Sequence, residues 1–172
     1  MKKVSLLIPA YNEQESLPLL YQKIIEVTDT LSQYEWEFMF VNDGSKDNTL
    51  NILRQLRSTD RRVNYIDLAR NFGKEVAMLA GFDHVTGDCM IIMDADLQHP
   101  PTVIPDFLAK WEEGYEDVYA IRKTRGEESW LRKQFSLLFY KILQKTTRVD
   151  ILQNVGDFRL LDRKCIDMLK QL

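Results

Sequence analysis

From the first residues to about residue 121, short apolar runs alternate with stretches in which apolar residues recur every three or four positions. Val4 to Pro9 is an apolar run; after a polar turn, Leu17, Leu20, Ile24, Val27 and Leu31 fall on one helical face. Asn12, with Glu15 three residues on, reads as an N-cap with its capping partner and predicts a helix start just beyond the turn. The pattern repeats, predicting strands over Trp36 to Val41, Val63 to Leu68, Cys89 to Met93 and Val118 to Ile121. Helices are predicted over Thr49 to Leu56, Glu75 to Val85 and Thr102 to Glu113. A further helix is predicted over Ser129 to Lys145, where Trp130, Leu131, Phe135, Leu138, Phe139 and Ile142 alternate with basic residues.

Strands that are apolar almost throughout, each followed by a helix, predict an α/β fold with a mostly parallel sheet covered on both faces. In such a sheet ligands bind beyond the carboxyl ends of the strands. Three of those ends carry acids: Pro9-Ala10-Tyr11-Asn12-Glu13, Asn42-Asp43-Gly44-Ser45 and Asp94-Ala95-Asp96-Leu97-Gln98.

Composition adds bounds. A chain of 172 residues, 45% hydrophobic and 28% charged, is expected to form one globular domain. Cys89 and Cys165 show no C-x-x-C spacing and read as core thiols of a reducing compartment. The apolar run after Lys3 is too short for a signal peptide, and no stretch nears the roughly 18 consecutive apolar residues of a membrane span, so membrane contact by these residues is expected to be peripheral. Net charge is −3, yet Arg122 to Arg148 holds eight basic residues against two acidic ones. One face is therefore expected to meet anions, whether phosphate groups, nucleic acid or acidic lipid heads.

Asp94 and Asp96 leave an apolar strand together, with Gln98 close behind and Pro100-Pro101 breaking the chain. Hard oxygen donors of this kind suit Mg2+ or Mn2+, which shares its shell with substrate phosphates. The alternative is a pair of solvated turn acids, and Glu13/Glu15 and Glu35/Glu37 share the same spacing. Asp43 precedes Gly44 where strand two must turn; it either reads a nucleobase N–H or merely shapes the turn while Ser45 or Asp47 caps the next helix. Neither a G-x-G-x-x-G fingerprint nor a P-loop is present, so phosphates must be neutralised otherwise; a metal on Asp94/Asp96 with a cation such as Arg122 would do it. Lys74, opening the third helix, adds a further anion contact beside a favourable helix dipole, while His84 and His99 read as structural or surface residues.

These three turns, with Asn154-Val155-Gly156-Asp157-Phe158-Arg159-Leu160, resemble family 2 inverting glycosyltransferases of the GT-A fold, a Rossmann-like three-layer α/β/α architecture. Among them the chain looks most like the polyprenyl-phosphate glycosyltransferases, the group of dolichol-phosphate mannose synthase and bactoprenol glucosyltransferases. The resemblance runs from Lys3 to Asp162. It implies that Pro9, Tyr11 and Glu13 frame the nucleoside, with Glu13 on the ribose, and that Asp43 reads the base. Asp94, Asp96 and Gln98 would hold Mg2+ or Mn2+ bridging the diphosphate, Arg122 would bind phosphate, and Asp157 would be the acid at the reacting sugar, assigned as catalytic base. Asn42 departs from the family, many of whose members have a second acid there.

The implied reaction is an inverting transfer of a hexose from a nucleotide-sugar, UDP-glucose first and GDP-mannose second, to a polyprenyl phosphate at the cytoplasmic face of a membrane, with no nucleic-acid partner. The alternatives are transfer to a glycan or polysaccharide hydroxyl, and a nucleotide-sugar-binding module without turnover. A nucleotidyltransferase would carry a glycine- and lysine-rich loop where Tyr11-Asn12-Glu13 stands. The 172 residues are expected to be a single GT-A catalytic domain, a fragment ending before acceptor-binding and membrane elements. The Ser129 to Lys145 helix is either a core helix with a solvated basic face or an interfacial helix on anionic lipid.

Overall fold

A computed structural model describes residues 1–121 and 155–171. In chain order these form β1 (Lys2–Ala10), α1 (Ser16–Thr28), β2 (Tyr34–Asn42), α2 (Thr49–Thr59), β3 (Val63–Asp67), α3 (Lys74–His84) and β4 (Cys89–Ile92). A 3-10 turn (Pro101–Val103) then leads into α4 (Ile104–Glu112), followed by β5 (Asp117–Ile121), β6 (Val155–Asp162) and α5 (Arg163–Leu169). The chain divides into two compact units, Met1–Tyr119 with Asp157–Leu172, and Ala120–Gly156; the parallel strands and their acid-bearing turns belong to the first. The helix predicted over Ser129 to Lys145 and the basic run from Arg122 lie outside the described residues.

The six strands form one sheet in the order β3-β2-β1-β4-β6-β5. β1 pairs in parallel with β2 and β4, β2 in parallel with β3, and β4 antiparallel with β6. The register sets Ala10 beside Asn42 and Asn42 beside Asp67, so the first three strands end level, and Leu7 pairs with Ile92. From β1 the chain steps outward through β2 and β3, then returns to place β4 on the other flank of β1. That reversal makes a crevice outside the carboxyl ends of β1 and β4, where open α/β sheets bind ligands.

Both faces are covered, as the apolar strands require. Leu7, Met39, Val41, Met90, Ile92 and Leu161 pack under Ala77 of α3 and Ile166 of α5. On the other face Phe38 meets Tyr21 of α1 edge-on at 6.4 Å, and Phe158 meets Phe107 of α4 at 4.8 Å. Burial of each such side chain contributes roughly 1.5–3 kcal/mol. Gly81 decides how close α3 comes: a Cβ there would fall 2.1 Å from Leu7 Cδ1, so the bare backbone lets the helix lie against β1.

The N-terminal cap differs from expectation. Asn12 adopts a left-handed conformation, φ 56°, and its side chain accepts the Lys46 amide at 2.8 Å, so α1 begins at Ser16 with no side-chain cap. A partner 34 residues away outcompetes the local cap. Cys165 also departs from expectation: both thiols are free, but Cys89 alone is buried.

Candidate active site

The β1–α1 and β2–α2 turns are laced together by side chain to backbone bonds. The amides of Asn12, Glu13 and Gln14 donate to Ser45 Oγ, Thr49 Oγ1 and Asp47 Oδ2, and the Asn48 amide donates back to Gln14 Oε1. Asp47 also accepts the Thr49 amide, 3.0 Å away, at the start of α2. Polar residues dense at both strand ends thus satisfy backbone groups that the turns leave unpaired.

Asp43 shapes a third loop. Only 3% exposed, its carboxylate accepts the Phe72 amide on Oδ1 at 2.7 Å and the Gly73 amide on Oδ2 at 2.9 Å, at the entrance to α3. Gly44, at φ 62°, permits the approach: a Cβ there would sit 2.2 Å from the Arg70 carbonyl carbon. The carboxylate therefore positions residues 70 to 73 whatever else it contacts.

The third acid-bearing turn follows β4. Asp96 Oδ1 accepts the Gln98 amide, and Leu97 between them holds φ 65°, an unusual conformation for a bulky residue and one that clusters at functional sites. The Asp94 amide donates to His99 Nδ1 at 3.0 Å. The Asp94 carboxylate lies 3.8 Å from the same nitrogen. His99 is buried and stacks on Phe158 at 4.8 Å, clamping the β4 turn to β6.

Pro9, Tyr11, Glu13, Asp43, Asp94 and Asp96 line one cleft of roughly 320 Å³ together with Asn71, Gly73, Lys74 and Ala77. Six predicted residues from three strand ends therefore meet. Glu13 also accepts a hydrogen bond from Ser16 Oγ. Gln98 does not line the cleft, and Arg122 lies outside the described residues. A hollow of about 500 Å³ lies at the opposite, amino ends of β1, β2 and β3, lined by Lys3, Tyr34 and Asn64 among others, away from every acid-bearing turn.

Lys74 holds the electrostatic centre. Its ammonium lies 2.5 Å from Asp94 Oδ1 and 2.8 Å from Asp157 Oδ2, joining the ends of β4 and β6. Burial pulls this ammonium's pKa down, but hydrogen bonds and charge from Asp157 and Asp94 outweigh it, so it stands above the ordinary lysine value. Residue spacing placed Lys74 at a helix start but held no sign of partners 20 and 83 positions away.

Among the described residues no three His, Cys, Asp or Glu side chains form a self-sufficient metal cage. Two carboxylates at an open cleft fit instead a Mg2+ or Mn2+ ion that completes its shell with substrate phosphate oxygens and water. No helix among the described residues is long and apolar enough to cross a membrane.

Comparison with known proteins agrees with this geometry. The model of Glycosyl transferase family 2 matches residues 5–169. The uncharacterized glycosyltransferase YkcC of Bacillus subtilis (strain 168) is 45% identical over 168 residues, 98% of this chain and 52% of its own length. The bactoprenol glucosyl transferase of Shigella phage SfX is 42% identical over 170 residues, 99% of this chain and 55% of its own. The chain thus spans about half the length of the curated relatives it matches.

Among solved structures, the mannosyltransferase PcManGT from Pyrobaculum calidifontis, in complex with GDP-Man and Mn2+, superposes with a TM-score of 0.66 at 19% identity, over 98% of this chain and 46% of that one. Glucosyl-3-phosphoglycerate synthase from Mycobacterium tuberculosis, with Mn2+, UDP and phosphoglyceric acid, gives 0.62 at 20% identity, over 95% of this chain and 56% of that one. At such identities these likenesses establish the GT-A fold. With the family pattern spanning nearly the whole sequence and its acid-bearing turns meeting in one cleft, the chain belongs to glycosyl transferase family 2.

Proposed function

We propose that these residues form the donor-binding and catalytic part of an inverting glycosyltransferase that moves a hexose from a nucleotide-sugar to a polyprenyl phosphate at the cytoplasmic face of a membrane. UDP-glucose is the first candidate donor and GDP-mannose the second. One observation carries the reading: the acids of three parallel strand ends line a single cleft, and Lys74 ties one of them to Asp157. The relatives named bactoprenol glucosyl transferase support the acceptor class.

In this reading Pro9, Tyr11 and Glu13 frame the nucleoside, and the loop held by Asp43 closes the base end of the cleft. Asp94 and Asp96 would hold Mg2+ or Mn2+, which when bound would withdraw charge from the departing diphosphate, while Gln98, outside the cleft, would steady Asp96 through its amide. Arg122 would add a phosphate contact. A polyprenyl phosphate is largely dianionic near neutral pH, its second pKa being about 6, so it attacks the anomeric carbon without a strong base. Asp157 then orients the acceptor. A hydroxyl acceptor would instead require Asp157 to take a proton. The basic run from Arg122 to Arg148 would hold the chain to anionic lipid.

A thermal-shift panel of nucleotide-sugars with and without Mn2+ identifies the donor, and transfer to undecaprenyl phosphate in detergent tests the acceptor. Asp96→Asn is expected to weaken Mn2+-dependent donor binding about tenfold or more, at least about 1.4 kcal/mol, with melting unchanged, because the amide lacks the carboxylate's charge. Asp157→Asn is expected to bind donor normally and transfer poorly. Unchanged donor affinity in Asp96→Asn removes the metal assignment, and lost donor affinity in Asp157→Asn removes the acceptor role.

A further inference from the structure

Lys74 occupies the oxygen that a metal would need. Its ammonium sits 2.5 Å from Asp94 Oδ1 and keeps its other short contact with Asp157. It reaches there from the first residue of α3, whose seat is fixed from two sides: the Asp43 carboxylate holds the amides of Phe72 and Gly73, and Gly81 lets the helix lie against Leu7. The lysine is thus held over the β4 turn by the scaffold. Asp94 and Lys74 are each only partly exposed, 25% and 34%, so water screens the pair incompletely.

An ammonium and a divalent cation cannot both lie against Asp94 Oδ1, because like charges at such a distance repel strongly. We propose that Lys74 is a tethered competitor of the metal. Without nucleotide it neutralises Asp94, pins that acid to Asp157 and opposes binding of free Mg2+ or Mn2+. When the ion arrives with a nucleoside diphosphate, the displaced ammonium finds a new anion in the diphosphate at the same cleft. Lys74 therefore makes metal and nucleotide bind as a pair. The inference rests on the assignment of Asp94 as a metal ligand made above.

Coupling between two ligands is a measurable free energy, reciprocal between them. The test is Mn2+ affinity, read from the electron paramagnetic resonance signal of free Mn2+, with and without UDP, in the wild-type chain, Lys74→Met, Lys74→Gln and Lys74→Arg. Removing the ammonium is expected to tighten Mn2+ binding in the absence of UDP about fivefold, ~1 kcal/mol, the upper end for a solvent-screened pair. UDP should then enhance Mn2+ binding about fivefold less than in wild type, while Lys74→Arg behaves like wild type. A merely structural lysine would loosen both ligands in Lys74→Met and in Lys74→Gln.

The neutral Gln variant, of similar reach, carries the comparison where Lys74→Met fails to fold. If UDP and Mn2+ bind together through Asp94 and Asp96 but neither Lys74→Met nor Lys74→Gln tightens Mn2+ alone, this inference falls and the catalytic reading stands. If the wild-type chain binds no Mn2+ even with UDP, both fall.

Discussion

Replacing Asp43 by Asn separates two roles that one carboxylate can play. In the structure both oxygens accept backbone amides, from Phe72 at 2.7 Å and Gly73 at 2.9 Å, at a position only 3% exposed. Asn keeps one acceptor and turns the other into a donor, so one amide faces an N–H group instead of an oxygen. A hydrogen bond to a charged group contributes about 1.5–3 kcal/mol, and leaving a buried donor unsatisfied costs about 1–3 kcal/mol. Since the two figures overlap in what they count, a net loss of about 3 kcal/mol is expected for Asp43→Asn. For a domain of this size that is roughly a 6–12 °C fall in melting temperature. Amide hydrogen exchange should quicken at Phe72 and Gly73 in particular, because their protection depends on this carboxylate. Nucleotide affinity should fall to a similar degree for UDP and GDP, since the loop that carries Asn71, Gly73 and Lys74 into the cleft loses its anchor. An unchanged melting temperature, unchanged exchange at residues 72 and 73, and a loss confined to one base would refute the scaffold role and leave Asp43 as a base reader alone.

Two further outcomes are expected. Gly44→Ala should destabilise the chain by about 3 kcal/mol or more in urea titration, from a left-handed φ of 62° worth about 1 kcal/mol and a Cβ placed 2.2 Å from the Arg70 backbone, which must move; full stability would show that the two turns do not touch. Glu37 is 6% exposed; burial raises its pKa, but hydrogen bonds from Ser5 and Thr86 and the charge of Lys3 outweigh that and hold it below its ordinary 4.5. A depressed carboxyl contributes stability that is whole above its unfolded value and is lost as pH falls through the folded one. The melting-temperature gap between wild type and Glu37→Gln should therefore stay level from about pH 8 to pH 5.5 and close towards pH 3, and a gap that widens in acid would contradict the assignment.

The parts of the fold legible in the sequence are those where a local pattern answers a local need. Strands buried on both faces must be apolar throughout, so β1, β2 and β4 stand out as runs, and the predicted bounds fall within one or two residues of the observed ones. Where a residue has two possible partners the local rule fails. Asn12 followed by Glu15 satisfies the capping pattern, yet its oxygen accepts Lys46 instead. The true start of α1 has a different local sign: Pro18, the third residue of the helix, is tolerated only in a first turn, where no amide partner is lost. β6 and α5 escaped prediction because the residues from 154 to 160 read as a motif, although Phe158-Arg159-Leu160 alternates as a strand and Asp162 accepts the Lys164 amide as a cap.

The candidate site divides along the same line. Parallel strands in register bring their carboxyl ends to one edge, so the meeting of Glu13, Asp43, Asp94 and Asp96 follows from the strand pattern alone. What each acid touches does not follow, because it depends on α3. That helix is seated by Gly81 against Leu7 and by Asp43 on its entering loop, and only then does Lys74 reach both Asp94 and Asp157. Each of those contacts spans at least 20 residues, beyond the reach of any periodicity or cap rule. The strand pattern gathers the acids at one edge, while the charge presented there is set by one lysine whose position is a property of the packed core.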